Sequence, residues 1–251
     1  MSSQAVILER RGGVALITLN RPERRNAINV DLAVGFRDAV AQSQDAGCIV
    51  VTGADPAFCA GLDLKNLGTE RLADLPSYTL AQNECAVPMI AAVNGAAVTG
   101  GFEIALGCDF MVASERAVFA DTHVRVGVYP GPVLVDLPRR IGMAWAREMS
   151  LTGNFVDAQT ALRIGLVNHV VPHDELLPLA LQLAEAIAEN DHAMAQDMRR
   201  DWDENVGTPV AEARRIHADH RERGGYTRSR GEDIAGRRET VLTRSRAQRG
   251  V

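Results

Sequence analysis

The chain has 251 residues, 46% of them hydrophobic, so it can bury a full core as one large domain or as a domain with an appended subdomain. Its net charge of −5 and isoelectric point near 5.7 disfavour nucleic acid or an anionic membrane as the main partner, because both attract basic surfaces. No apolar run reaches the roughly 18 residues of a membrane span, and the first residues lack the features of a signal peptide. We therefore expect a cytoplasmic protein that acts on a small molecule.

The first half of the chain alternates between strand and helix patterns. Two β-rich runs, at residues 5–9 and 14–20, flank the sequence RRGG and predict a hairpin. Residues 31–44 have helical spacing and precede an apolar run at 48–52 that has the length of a buried strand. A further helical pattern follows at 72–85. Such alternation predicts βαβ units and a mostly parallel sheet, with the ligand at the carboxyl ends of the strands.

Residues 88–109 combine a strand, a glycine-rich turn and one carboxylate, in the sequence PMIAAVNGAAVTGGFEIALGCD. A strand at 89–93 leads through the turn into a short helix and then into another strand at 109–113. Glycines let backbone N–H groups approach a ligand, and the first N–H groups of a helix have no partner inside it. Glu103 adds a proton acceptor beside these donors. This segment therefore predicts a site for an oxyanion with a base next to it.

A second glycine-bearing loop, AFCAGLDLKNL at residues 57–67, follows the strand at 48–52 and offers another N–H to the same crevice. Other phosphate and nucleophile motifs are excluded. Gly100 is followed by Gly and Phe, where a P-loop needs Lys and Ser or Thr. The chain has no GxGxxG after a strand and no GxSxG elbow. A tight connection remains the alternative interpretation of each glycine loop taken alone.

The second half of the chain changes character near residue 190. Residues 157–164 predict a helix stopped by a glycine, followed by a strand in LVNHVV and a helix at 174–189. Beyond that, Arg mixes with Asp and Glu between glycines, which predicts several short helices that pack on the main domain or on another subunit. We therefore predict a core at residues 1–190 and a helical region at 191–251.

The cysteines and two tail histidines favour structural interpretations. None of the four cysteines has CxxC spacing, and apolar neighbours predict that they are reduced packing residues: Cys48, Cys59, Cys85 and Cys108. His217 and His220 have arginine neighbours and no third ligand close in sequence, so we expect solvated side chains and no metal site.

Taken together, the two loops resemble those of the crotonase family, the enoyl-CoA hydratase/isomerase superfamily. Four motifs occur in the family's order: LNRPERRNAIN at 19–29, FCAGLDL at 58–64, AAVNGAAVTGGFEIALGCD at 91–109 and LTGNFVDAQTALRIGLVNHVV at 151–171. The resemblance implies an α/β fold built as a spiral of ββα turns. It also implies a helical C-terminal region that builds a homotrimer or homohexamer and covers the active site. The implied ligand is an acyl-CoA thioester, with no separate cofactor or metal.

The resemblance also implies site residues. The oxyanion hole falls on the backbone N–H groups of Leu62 and Gly100, and Glu103 falls on one of the two catalytic glutamates of the hydratases. Contacts with the substrate and its CoA moiety fall on eight positions: Arg25, Ala27, Ala60, Leu62, Asp63, Leu64, Lys65 and Gly100. For Lys65, a solvated helix residue is an equally good interpretation.

The second catalytic glutamate is replaced by His123 in the segment FADTHVRVGVYPG. Hydratases use both carboxyl groups to hold and activate one water, so this position decides the reaction. An imidazole can accept or donate a proton at neutral pH, and the preceding Asp121 can orient it. An inert replacement is the alternative. Tyr129 is a further polar candidate, for which we expect core packing.

The default prediction is an enzyme of fatty acid metabolism that hydrates a 2-enoyl-CoA, with Glu103 and His123 as catalytic residues. Two alternatives stay open. One is an enoyl-CoA isomerase or an enzyme that hydrolyses a thioester or carbon–carbon bond with one Glu and a His, because a fold does not fix its reaction. The other is a non-catalytic acyl-CoA-binding protein. The acyl chain is not specified by these motifs.

Overall fold

The computed structural model describes residues 4–63, 82, 84–224, 238 and 243. The chain forms two compact units, Met1–Gln196 and Asp197–Val251. The strands of the described residues all lie in the first unit: β1 Val6–Arg11, β2 Val14–Leu19, β3 Cys48–Gly53, β4 Ala57–Cys59, β5 Met89–Val93, β6 Ala96–Val98, β7 Phe110–Ser114, β8 Val118–Ala120, β9 Val156–Asp157 and β10 His169–Val171.

Helices connect and cover these strands. Those of the described residues are α1 Val30–Ala41, α2 Gly100–Leu106, α3 His123–Val126, α4 Val133–Ile141, α5 Met143–Thr152, α6 Ala158–Arg163, α7 Leu176–Ala188, α8 His192–Asn205 and α9 Val210–Arg223. Short 3-10 turns occur at Pro22–Arg24 and His173–Glu175. Side-chain caps fix two helix starts, because Asn29 accepts from the Leu32 N–H and Asp157 from the Thr160 N–H. None of the described helices is long and apolar enough to cross a bilayer.

Two sheets form the core of the first unit. The larger has the strand order β1-β2-β3-β5-β7-β10, in which only the β1–β2 hairpin is antiparallel. The smaller has the order β4-β6-β8-β9, with β9 antiparallel to β8. The chain alternates between them, since β3, β5 and β7 are followed by β4, β6 and β8 in turn. The predicted spiral of ββα turns and the mostly parallel sheet are confirmed.

The central strands β3 and β5 of the larger sheet are buried on both faces, which explains why they are continuous apolar runs. Side chains alternate between the faces with a period of two residues. Val50 and Ile90 lie on the face covered by α7, whereas Ile49 and Val51 belong to the main core on the other face. The four cysteines are buried, as predicted for packing residues.

The second unit contains α9 and the C-terminal part of α8. Each of these helices has 14 residues, so the described tail has longer helices than the predicted short ones. Histidine–carboxylate pairs join them, with 2.5 Å between His217 Nδ1 and Asp201 and 2.9 Å between His220 Nε2 and Glu204. His217 is exposed, but the prediction of a solvated His220 is wrong, because its partner holds it in a buried position.

Most predicted elements occur within a few residues of their predicted bounds. The helix predicted at 157–164 is α6, and the strand predicted at 89–93 is β5. The helix predicted at 72–85 lies mostly outside the described residues.

Candidate active site

The first glycine loop follows β4 and lies against the segment before α1. Ile28 donates its N–H to the Gly61 carbonyl at 2.7 Å and accepts from the Asp63 N–H at 2.9 Å. These bonds form a parallel bridge between Ile28 and Leu62. Successive amides of an extended segment point to opposite sides, so the Leu62 N–H points away from Ile28. The loop is therefore able to present this amide to a ligand.

Two side chains from the preceding segment fix this loop. Arg21 forms an ion pair with Asp63 at 3.2 Å, and both side chains are largely buried. The fully buried Asn26 donates from its amide nitrogen to three backbone carbonyls, those of Ala54, Ala57 and Phe58. Arg21 and Asn26 hold the loop in place and were not singled out in the sequence analysis, although both lie inside the motif quoted at 19–29. The only signal for them was that motif itself, because their partners are distant in sequence.

The second glycine loop ends at Thr99, where α2 begins. Thr99 has a φ of 47°, a strained value for a residue with a side chain. Its N–H donates to the Ala120 carbonyl at 2.9 Å, and its carbonyl accepts from the Glu103 N–H at 2.9 Å. Gly100 is the first residue of α2, so its N–H has no acceptor inside the helix. Thr99 therefore holds this amide between the end of β8 and the Glu103 turn.

The two glycine loops are in direct contact. A Cβ atom on Gly61 would lie 1.9 Å from Thr99 Oγ1 and 2.8 Å from the Val98 carbonyl oxygen. A Cβ atom on Gly101 would lie 2.2 Å from the Cys59 carbonyl oxygen. No larger residue fits at either position without moving backbone. The structure thus brings into contact the two loops that contain Leu62 and Gly100.

Glu103 lies in the first turn of α2 and is only 5% exposed. Its Oε1 accepts a hydrogen bond of 3.0 Å from the Gly131 N–H, and the Val133 N–H also donates to the carboxylate. Burial raises the pKa of Glu103 above its ordinary value of 4.5, although the His123 charge and these N–H groups oppose the shift. Glu103 is therefore a stronger proton acceptor than an exposed glutamate.

His123 is the first residue of α3 and is also 5% exposed. Its Nδ1 lies 2.6 Å from Oδ1 of Asp121, which also accepts from the His123 N–H at 3.3 Å. Burial lowers the pKa of this imidazole, but the Asp121 bond and the Glu103 charge outweigh it and leave the pKa above its ordinary 6.5. The charge of each group shifts the pKa of the other, so Glu103 and His123 lie within electrostatic range of each other.

The positions predicted to contact CoA have different environments. Arg25 is exposed, with a φ of 51°, and its carbonyl accepts from the Ala60 N–H at 3.0 Å. Ala27 and Asp63 are buried, and Asp63 forms the ion pair with Arg21. The remaining two, Leu64 and Lys65, lie outside the described residues.

Tyr129 is 86% exposed, so the prediction that it packs in the core is wrong. It lies between the end of α3 at Val126 and the start of α4 at Val133.

The site combines two kinds of group: backbone donors from two loops and a buried acid–base pair. Donors of this kind stabilise an oxygen that gains negative charge, while the pair can move protons at a neighbouring atom. Among the described residues, no three His, Cys, Asp or Glu side chains are grouped so that they could hold a metal ion.

Known proteins are similar to this chain over most of its length. A family model described as enoyl-CoA hydratase/isomerase matches residues 9–234. A probable peroxisomal enoyl-CoA hydratase of Arabidopsis thaliana is 41% identical over 192 residues, covering 73% of this chain and 72% of that protein. An enoyl-CoA hydratase of Mycobacterium tuberculosis is 36% identical over 233 residues, covering 86% of each.

Solved structures agree with these relatives. A crystal structure of an enoyl-CoA hydratase from Mycobacterium tuberculosis has a TM-score of 0.74 at 39% identity, covering 87% of this chain and 98% of that one. Another, from Bacillus anthracis, has a TM-score of 0.86 at 28% identity, covering 94% of this chain and 97% of that one. Both are similar in fold over nearly the whole of their length.

Proposed function

Because this chain belongs to the enoyl-CoA hydratase/isomerase family, we propose that it adds water across the double bond of a 2-enoyl-CoA thioester. The observation that carries this proposal is the buried pair of Glu103 and His123 beside the two glycine loops. The relatives named as enoyl-CoA hydratases support it. The proposed ligand is an acyl-CoA thioester, and its hydration needs no additional cofactor.

In this proposal the Leu62 and Gly100 N–H groups hold the thioester oxygen. Water adds at carbon 3, and the electron pair of the double bond moves toward that oxygen and forms an enolate. Both amides stabilise the enolate more than the substrate, since the oxygen carries more charge there. Losing one donor of this kind typically costs about 100- to 1,000-fold in rate.

The proton transfers fall to Glu103 and His123. One proton must leave the attacking water, and one must be added at carbon 2 to complete the product. Both groups are buried, and the pKa of each lies above its ordinary value, which makes Glu103 a stronger base and keeps His123 protonated to higher pH than a free imidazole. The Ala60 to Lys65 segment, with Arg25 and Ala27, stays our prediction for the CoA contacts.

We further propose that the chain forms a homotrimer or homohexamer. Large apolar side chains are exposed in the single chain over α3 to α6, and such surface commonly marks a subunit contact. They include Val124, Val135, Met143, Leu151 and Phe155. The role of residues 191–251 in assembly and in covering the site, and the cytoplasmic location, stay predictions. Two relatives have names that place them in peroxisomes or mitochondria.

The proposal is tested by following loss of a four-carbon 2-enoyl-CoA with wild-type protein and with Glu103→Gln. We expect hydration by the wild type and a loss of at least about 100-fold in kcat for the variant, because general base catalysis contributes that much. Glu115→Gln is the matched control, since Glu115 is an exposed glutamate in the turn after β7. Equal rates for wild type and Glu103→Gln would remove Glu103 from the mechanism.

An isomerase or hydrolase is the second candidate, favoured by the imidazole at the position of the second glutamate. A shifted double bond, a cleaved carbon–carbon bond or a free acid as the product would identify it. Tight acyl-CoA binding without turnover of enoyl, dienoyl or β-keto thioesters would instead indicate a binding protein.

A further inference from the structure

Asp121 touches the imidazole of His123 but not the reacting atoms of the proposed reaction. It directly follows Ala120, the last residue of β8, and is 1% exposed. Its Oδ1 accepts from both the ring and the backbone of His123. An ionised carboxylate can only accept hydrogen bonds, so Nδ1 of His123 must carry the proton in this contact. The other ring nitrogen, Nε2, is then the one left to meet a substrate.

The negative charge of the Asp121 carboxylate is compensated only when the His123 imidazole is protonated. Burial raises the pKa of Asp121, but the hydrogen bond from His123 and the nearby Ser150 hydroxyl outweigh that effect and leave the pKa below its ordinary 3.8. No donor of the described residues hydrogen-bonds to the buried Oδ2 of Asp121. A buried anion with one unsatisfied oxygen favours a cation beside it.

The charged groups near His123 also favour its protonated form. The charged groups that shift its titration are Asp121 and, from α2, Glu103. Helix α5 packs against α3 and contributes the uncharged Ser150 beside Asp121. Both charged neighbours are anions, so both stabilise the protonated ring.

Resting on the proposed function, we propose that Asp121 is a positioning residue that makes His123 the general acid and leaves Glu103 as the general base. Glu103 takes a proton from water as the oxygen bonds to carbon 3, and Nε2 of the imidazolium gives its proton to carbon 2 of the enolate. One proton passes to Glu103 and one leaves His123. Transfer between the two groups, directly or through solvent, restores the starting state.

The test is the pH profile of kcat/KM for hydration by wild type and Asp121→Asn. We expect the basic limb to move to lower pH by about one unit or more, because the variant loses the anion that raises the pKa of His123. The rate at the optimum should fall by about 10- to 100-fold with KM nearly unchanged. A role confined to packing would lower the rate without moving the limb.

Asp55→Asn is the matched control. Asp55 makes the same kind of bond, at 3.0 Å, to Nε2 of His173 at the start of the turn before α7, outside the proposed machinery. The Asp55→Asn substitution should leave the pH profile of kcat/KM unchanged. An unmoved basic limb in Asp121→Asn would overturn the role of Asp121, whereas a wild type without hydration would contradict the proposed function instead.

A second measurement depends neither on activity nor on the folding of Asp121→Asn. Ring-nitrogen NMR of wild type, with His123 assigned by comparison with His123→Gln, should show Nδ1 protonated across the titration of Nε2. A neutral ring protonated on Nε2 would overturn the proposal.

Discussion

At the scale of single residues, burial acts on Glu103 and His123 in opposite directions. It disfavours the charged form of each, which raises the pKa of the carboxyl and lowers that of the imidazole. Asp121 and Glu103 reverse the effect on His123, so both pKa values end above their ordinary values. The attraction between the two charges favours the state in which Glu103 is a carboxylate and His123 an imidazolium.

The wild-type protein should therefore have a bell-shaped pH profile for kcat/KM, which reports the free enzyme. Activity should rise as pH increases through the pKa of Glu103, above 4.5, because the base must be ionised. It should fall as pH increases through the pKa of His123, above 6.5, because the acid must be protonated. The two limbs belong to the pair, since each charge affects the other group. An acidic limb at or below 4.5 would contradict this account.

The sequence identified Glu103 and His123 because both lie inside recognisable motifs. It raised Asp121 only as a possible orienting group, since two residues of separation do not show whether the side chains meet. Arg21 and Asn26 received no role, because their partners Asp63 and Ala57 are 42 and 31 residues away. Long-range contacts of this kind depend on the folded chain and have no local pattern.

At the scale of elements, the long apolar strands were predictable and the short ones were not. Strands β3 and β5 are buried on both faces and read as continuous apolar runs. Strands β4, β6 and β8 have three residues each, too few for a periodicity to be recognised. These short strands nevertheless position the site, because β4 and β6 lead into its two glycine loops.

Gly61→Ala tests the contact between these loops. The residue has a φ of 85°, and the added methyl would meet Thr99 Oγ1 and the Val98 carbonyl, so the Leu62 amide must move. We expect kcat/KM for hydration to fall by about 100-fold or more, as for the loss of one oxyanion donor.

Gly12→Ala is the control for backbone strain alone. Gly12 has a φ of 59° in the β1–β2 turn, with nothing within 4 Å of an added Cβ. It should cost about 1–2 kcal/mol of stability, measured by denaturant unfolding, and leave kcat/KM unchanged. If both variants kept full activity, the close contact between the loops would have no catalytic role.

At the scale of the whole molecule, the α/β class and the spiral followed from alternating patterns and ordered motifs. The arrangement of residues 114–156 did not, because that stretch contains short helices with mixed surfaces. Whether the exposed apolar residues in this stretch are covered depends on contacts between subunits. A pattern within one chain does not specify such contacts. The fold positions the two glycine loops and the buried pair of Glu103 and His123. The reaction itself is identified by the product atom that receives the oxygen of water.

The central claim is hydration, and heavy-oxygen water tests it most directly. Wild-type protein is incubated with a four-carbon 2-enoyl-CoA in this water, and the products are analysed by mass spectrometry. Hydration should place one heavy oxygen on carbon 3 of the acyl group and leave the thioester intact. A label in a free carboxylic acid, or an unlabelled product with a shifted double bond, would contradict it.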